Sequence, residues 1–281
     1  MRKYGFWIPD KLYLQLLYTT ETGKRLNLKN PKLFGEKIQW LKLYCRKPEY
    51  SIMVDKYAVK SYVSNIIGKD YVLPTLGVWD RPEDINFDEL PQQFVLKTTN
   101  GGGSGGVLIC KDKTLLDKAL VIRKMRQAMK SDIYGVYREW PYKNVKSRII
   151  AEKYIGKQNE DLKDYKFFCF NGVPKYCQVI SGRNDVMSID FFNMEWEHQP
   201  FHEPKQFPFS KEEINRPQSL LEMVKLSQLL SCNIPFIRVD FYEVNGRPFF
   251  GELTFFPTSG MGGFEPGEWD EVFGEMINLP M

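Results

Sequence analysis

The stretch Phe94 to Ile109, FVLKTTNGGGSGGVLI, offers several chemistries at once. Gly101, Gly103 and Gly106 meet the G-x-G-x-x-G spacing that seats a pyrophosphate. Gly102, Ser104 and Gly106 meet the G-x-S-x-G spacing of a nucleophile elbow. Both readings need a loop that leaves a strand and enters a helix. This loop enters VLIC, a second β-rich run, which argues against both. The elbow also needs a His base, and the chain has only His198 and His202, separated by Pro200. That proline also disrupts the helix that would align the pair as metal ligands. What survives is a strand–loop–strand hairpin. The backbone N–H groups of Gly101, Gly102, Gly103, Ser104, Gly105 and Gly106 would fold over polyphosphate, and Lys97 on the adjoining strand would add a point charge. A kinase loop would need an H-R-D or D-F-G downstream, and neither is present. A plain turn is the alternative, at a high cost in chain entropy for six such residues.

A nucleotide phosphate site usually takes Mg²⁺ on one or two carboxylates plus phosphate oxygens. Asp240 in IRVDF and Glu252 in FGELTFF stand among apolar residues, where each needs a cation, a metal or hydrogen bonds. A salt bridge with Arg238 or Arg247 is the competing use. A two-residue turn at Asn245-Gly246 would pair Asp240 with Gly251 and put the two carboxylates on opposite faces. They share a metal only if the loop is odd in length or carries a bulge, and Pro248, which cannot donate to a ladder, offers such an irregularity. Thr254, two residues after Glu252, shares its face and offers a further oxygen.

These residues need a scaffold of ordinary composition. The chain has 281 residues, 43% hydrophobic and 26% charged, with a formal net charge of +4. Lys and Arg are dispersed, which suits anionic small ligands and not nucleic acid. Five cysteines without a C-x-x-C pair, and no apolar run long enough to span a bilayer, point to reduced thiols in the cytoplasm. Residues 1–50 form an N-terminal helical segment, in which LYLQLLY is an amphipathic helix packed on its own core or lying on a membrane surface. A second helix is expected over 53–66, a strand broken by Pro74 near 71–79, and a helix over 112–129. Strands are expected over 147–155 and in YKFFCFNGVPKYCQVI, with Asn171-Gly172 as the turn. Ser210 and Glu213 read as a capping box opening a helix towards Cys232, bent at Pro217. The fold class is α+β with mainly antiparallel strands.

In order along the chain, FGEKIQWLKLY, VDKYAVKSYV, FVLKTTNGGGSGG, RIIAEKYIG, DYKFFCFNG and RVDFYEVNGRPFFGELTFFPTSG together resemble the ATP-grasp superfamily, in its TupA-like branch. The resemblance implies an ATP-grasp domain over 51–281, with a glycine-loop lobe at about 92–155 and a metal-binding lobe at about 156–281, clasping ATP. Lys97 and Lys56 would hold phosphate. Glu152, Lys153, Tyr154 and Ile155 would bind adenine, Asp164 the ribose, and Lys166 phosphate or substrate. Asp240, Glu252 and Thr254 match the magnesium ligands. Thr254 replaces the usual Asn, which weakens one metal position.

The reaction so implied is ADP-forming carboxylate–amine ligation through an acyl phosphate, with ATP and Mg²⁺ as cofactors and Lys97, Lys166 and Arg183 as catalytic residues. Arg183, after the 164–181 hairpin, is the candidate to grip the acyl phosphate or an anionic substrate, the competing use being a surface turn arginine. In the TupA-like branch the partners would be an amine and a uronic acid or other carboxylated sugar of cell-surface polysaccharide. The N-terminal helices would contact a polysaccharide or lipid-linked acceptor at the membrane surface. An ATP-dependent sugar kinase and a non-catalytic nucleotide-binding partner of a glycosyltransferase stay open beside the ligase.

Overall fold

The computed structural model describes residues 7–156, 162–182, 186–203 and 207–280. Its helices are α1 (Asp10–Thr22), α2 (Phe34–Tyr44), α3 (Glu49–Val54), α4 (Ala58–Ile67), α5 (Lys118–Ala128), α6 (Ile133–Tyr137), α7 (Leu220–Ser231) and α8 (Glu268–Met276). Its strands are β1 (Thr75–Trp79), β2 (Phe94–Thr98), β3 (Val107–Cys110), β4 (Ile149–Lys153), β5 (Asp164–Phe170), β6 (Val173–Ser181), β7 (Ser188–Asn193), β8 (Phe236–Val244) and β9 (Arg247–Thr254). The chain divides into two compact units, one of Lys47–Ile155 and one of Gly5–Arg46 with Gly156–Met281.

The first unit carries a four-stranded antiparallel sheet in the order β1-β4-β2-β3. Strand alternation decides its two faces. Phe94, Leu96, Ile149 and Ala151 bury themselves with Ile85, Phe87, Leu90 and, from α5, Val121 and Met125. The alternate positions, Val95 and Lys97 on β2 and Ile150 and Glu152 on β4, face the other way. The strand after Pro74 is an edge strand, as a residue that cannot donate to a ladder requires. The helix expected over 53–66 is two helices, because Asp55 leaves the helical conformation and caps α4. Its Oδ1 accepts from the N–H groups of Tyr57 (2.8 Å) and Ala58 (3.2 Å).

The second unit holds a five-stranded antiparallel sheet, β7-β6-β5-β8-β9. Two I′-type turns set its register: Asn171 (φ 50°) with Gly172 (φ 83°), and Asn245 (φ 53°) with Gly246 (φ 72°). Helix α7 packs on β5, β6 and β8, over Phe167, Cys169, Val179 and Val239. The opposite face is aromatic at one end and ionic at the other. Phe168, Phe170 and Phe236 meet Phe34 of α2 and Phe273 of α8 mostly edge-on, at centroid distances of 5.0–5.9 Å. One and two alternations further along the same strands stand Arg238, Lys166, Asp240 and Asp164.

Helix α2 also clamps the segment after β9. Lys42, fully buried, donates to the Ser259 carbonyl (2.8 Å) and hydroxyl (2.7 Å), and Gln39 donates to the same carbonyl (2.9 Å). This holds Thr258, Ser259 and Gly260 at φ of 46°, 56° and 64°. The capping box read at Ser210 and Glu213 is not used. The Ser210 N–H goes to Asp190, and α7 begins at Leu220, whose N–H bonds Pro217 O, because Pro217 keeps the preceding residue out of the helical region.

Candidate active site

In the first unit the glycine loop joins β2 to β3, and Lys97 pairs in register with Val107 across its mouth. The base of the loop is built from Thr99 and Asn100. Thr99 exchanges backbone and side-chain bonds with Arg148 (N to O, 2.9 Å; Arg148 N to Oγ1, 3.0 Å), and Asn100 Nδ2 donates to Ser131 O (3.0 Å). Thr98 fills the neck between the two ends of the loop. A Cβ at Gly106 would lie 2.3 Å from its Oγ1, and one at Gly101 2.7 Å, whereas Gly103 and Gly105 face open space. Gly106→Ala is therefore expected to cost about 1–3 kcal/mol through overpacking, and Gly105→Ala almost nothing. Urea unfolding of the two variants side by side checks this.

Around the loop mouth the basic residues are already ordered. Glu152, on the diagonal from Lys97 across the β2–β4 ladder, accepts from Lys97 (Oε2, 2.6 Å) and from Lys60 of α4 (Oε1, 2.5 Å). Burial would push the Glu152 carboxyl up, but Lys97 and Lys60 outweigh it and hold the group below the usual carboxylate range. Burial pushes the Lys60 ammonium down against the pull of Glu152. The pair of ammonium groups on one carboxylate leaves one net positive charge on this face, suited to an anion. Lys56 donates its Nζ to Gly101 O (2.5 Å) and its N–H to Thr99 O (3.3 Å), tying the D-K pair to the loop. Asp55 is gripped in turn by Arg148 (2.9 Å), which stacks over Tyr57 at 4.7 Å. Lys153 ends β4, and Tyr154 and Ile155 close the unit. Lys60 escaped the sequence reading. Its one signal was a second lysine four residues after Lys56.

In the second unit a β-bulge decides the geometry. Asp240 pairs directly with Glu252, and Phe241 with Phe250, so Gly251 is the extra residue and the two carboxylates share one face. The irregularity sits at Gly251 and not at Pro248, which pairs regularly with Glu243. A Cβ at position 251 would meet Asp240 O at 3.1 Å, so a glycine suits the bulge. Asp240 is 1% exposed and receives Arg238 in bidentate fashion (Nε to Oδ1 and Nη2 to Oδ2, each 2.7 Å), together with Lys166. Lys166 also lies 3.6 Å from Asp164. Arg238 Nη2 further donates to Glu252 Oε1 and Thr254 Oγ1, at 3.2 Å each, and Thr254 donates to Glu252 (3.3 Å). The salt bridge considered for Arg238 is thus formed. Burial opposes the charge on Arg238, and Asp240 restores it and holds the guanidinium protonated.

The three oxygen-bearing residues singled out for a metal therefore converge on one cationic nitrogen. Their hard oxygen donors on one face fit Mg²⁺, which binds through one or two carboxylates and phosphate oxygens and needs no all-protein cage. Among the described residues no three His, Cys, Asp or Glu form such a cage. Arg183 lies outside the described residues. Glu203, which belongs to no motif, is buried over the same face beside Arg238, Lys166 and Gln178.

A family model described as TupA-like ATPgrasp matches residues 36–278. Among solved structures, the chain is similar to D-alanine-D-alanine ligase from Helicobacter pylori. Identity is 16% and the TM-score 0.45, over 87% of this chain and 69% of that one. A RimK domain ATP-grasp protein from Sphaerobacter thermophilus is similar at 11% identity and a TM-score of 0.42, over 81% and 67% of the two chains. The ATP-grasp ligase PsnB, complexed with minimal precursor, Mg and ADP, is similar at 12% identity and a TM-score of 0.42, over 86% and 65%. The chain spans 57–69% of the lengths of the D-alanine-D-alanine ligases it resembles. No curated protein matches it in sequence.

Proposed function

This chain belongs to the TupA-like ATP-grasp family, and from that premise we propose that it is an ATP-dependent carboxylate–amine ligase. The observation that carries the reading is Lys97, locked by Glu152 at the mouth of a glycine loop. On this reading Lys97, Lys60 and Lys56 receive the phosphates of ATP, and the end of β4 at Lys153, Tyr154 and Ile155 receives the adenine. Asp164 binds the ribose and Lys166 phosphate or substrate. The oxygen of an acid substrate attacks the γ-phosphorus, the bond to the β-phosphate oxygen breaks, and its electron pair leaves with ADP. Ammonium groups fixed before the reaction stabilise the charge that spreads over the transferred group without reorganising. The glycine loop excludes water, to which an acyl phosphate is vulnerable. Arg183 is proposed to hold that acyl phosphate. Asp240, Glu252 and Thr254 would hold Mg²⁺, which when bound would neutralise charge on the phosphates.

From the resemblance to the TupA-like branch we further propose that the acid is a uronic acid or other carboxylated sugar of cell-surface polysaccharide, and that the amine is an amino acid. Reduced thiols suit a cytoplasmic reaction; among the described residues no helix is long and apolar enough to cross a membrane. A second reading, a nucleotide-binding partner without metal-dependent catalysis, is favoured by Arg238 engaging all three candidate metal ligands.

Thermal unfolding with and without ATP, in magnesium and in chelator, tests both. A ligand at a hundred times its dissociation constant adds about 2.7 kcal/mol, expected to raise the midpoint by roughly 5–10 °C. The shift should need magnesium and vanish in Lys97→Met. A shift indifferent to magnesium would favour the second reading, and none with any nucleoside triphosphate would overturn both. Release of ADP with free phosphate, in the presence of uronic acids and amines, separates the ligase from a sugar kinase, which keeps the phosphate on its product.

A further inference from the structure

The face of the second unit that carries Arg238 and Asp240 holds one carboxylate the chemistry above does not use. Glu203 lies on the connection between β7 and α7, and the two residues before it are fixed. Phe201 is fully buried, 4.2 Å from Trp269 and 5.3 Å from Phe273 between ring centroids. His202 exchanges two backbone hydrogen bonds with Glu265 (3.0 and 2.8 Å), and its ring bonds the Glu203 carbonyl (3.1 Å). These anchors lay the Glu203 side chain, in a residue 7% exposed, over three strands: Gln178 of β6, Lys166 of β5 and Arg238 of β8. Gln178 and Lys166 are direct register partners there.

Arg238 and Lys166, the cations described beside Glu203, are committed elsewhere. Arg238 pairs with Asp240 and Glu252, and Lys166 with Asp240 and Asp164. Among the described residues Glu203 forms no ion pair within 4.0 Å. Gln178 Nε2, itself buried, lies beside the carboxylate without completing a hydrogen bond of good geometry. A buried carboxylate without a close partner is expensive, and it asks for a cationic ligand or a proton. One carboxylate supplies too few oxygens to hold a metal by itself, whereas it can accept from a primary ammonium, which carries only donors.

We propose that Glu203 is the catalytic residue that receives the amine nucleophile, binding its ammonium form and removing the proton that blocks attack. The proposal rests on the ligase reading. An alkyl ammonium is protonated at neutral pH and has no lone pair to offer. Glu203 takes one N–H proton and becomes a carboxylic acid. The freed lone pair forms the C–N bond at the acyl carbon, the C–O bond to phosphate breaks with its electron pair on phosphate, and phosphate accepts the second N–H proton. Burial of Glu203 pushes its acid up against the opposing pull of Arg238 and Lys166, which makes it a stronger base than an exposed glutamate.

The test compares two nucleophiles on the native enzyme, Glu203→Gln and Glu203→Asp, with ATP, magnesium and D-glucuronate as the acid. Ethylamine must lose a proton before it attacks, whereas hydroxylamine is already neutral at pH 7. In Glu203→Gln, amide formation with ethylamine should fall about 10²- to 10⁴-fold, the usual weight of a positioned base, while hydroxamate formation stays near native. Glu203→Asp should recover part of the loss. An equal fall for both nucleophiles would make Glu203 structural and overturn the proposal, as would no fall for either. If the native enzyme releases no ADP with the acid, the ligase reading has failed. Glu203 is then decided by ethylammonium titration followed by NMR, with tetramethylammonium as the control. Binding lost in Glu203→Gln supports the assignment, and binding absent in the native protein or unchanged in the variant overturns it.

Discussion

Glu152→Gln is expected to destabilise the first unit by about 3–5 kcal/mol, the cost of leaving buried charge without its counterion, which lowers the melting midpoint by roughly 10 °C. Glu152 is the common anion of Lys60 and Lys97, and all three side chains are largely shielded, at 7%, 12% and 16% exposure. Because its folded acid constant lies below the ordinary one, the stability it contributes is present above about pH 4.3 and lost as pH falls through the folded value. With the carboxylate gone, Lys60 keeps its burial and the repulsion of Lys97, both of which push its ammonium down, and loses the pull that opposed them. The folded variant then binds fewer protons than its unfolded chain between that lowered value and about 10.4, so its stability should rise with pH across that window. Lys60→Met in the same background removes the surplus charge and should recover about half of the loss. A double-mutant cycle over pH 6–10 measures the coupling. A variant that melts within about 1 kcal/mol of native, with no slope in pH, would mean that Glu152 does not anchor the two lysines. The same variant should bind ATP less tightly, since Lys97 loses the contact that aims it.

What the sequence made legible was local, and what it hid was tertiary. FVLK and VLIC around GGGSGG could only be a hairpin, and the two Asn-Gly dipeptides fixed their turns through positive φ. Lys97 followed from its place beside the loop. Lys60 did not, because one lysine on a short helix looks like any solvated residue until the sheet beneath it supplies Glu152. Counting residues back from Asn245-Gly246 put Asp240 and Glu252 on opposite faces, and one bulged glycine reversed that result, since a period of two is inverted by a single insertion. Ser210 carried a capping signal that Asp190 took over from a distant strand. Glu203 lies between no recognisable motif and owes its position to Phe201 and Glu265.

Asp240→Asn and Glu252→Gln should part company although both were singled out for the same metal. Asp240 is 1% exposed and holds Arg238 twice and Lys166 once, so its neutralisation strands two buried cations. A loss of about 3–5 kcal/mol is expected, together with the loss of any magnesium-dependent stabilisation by ATP. Glu252 has a side chain 30% exposed, and its contact with Arg238 is longer, at 3.2 Å. Its neutralisation should cost under about 1 kcal/mol, the worth of a partly exposed pair, while removing the magnesium-dependent shift as completely as Asp240→Asn does. Urea unfolding without nucleotide reads the first quantity, and the midpoint shift with ATP and magnesium reads the second. Two variants that fail in both measurements would make the row a structural ion-pair network with no role for a cation from solution. Two that keep the magnesium-dependent shift would move the metal elsewhere. The split outcome would identify Glu252 as the carboxylate still available to an incoming ion and Asp240 as the group that holds Arg238 in place, because a carboxylate already saturated by a guanidinium and an ammonium has the least left to offer a metal.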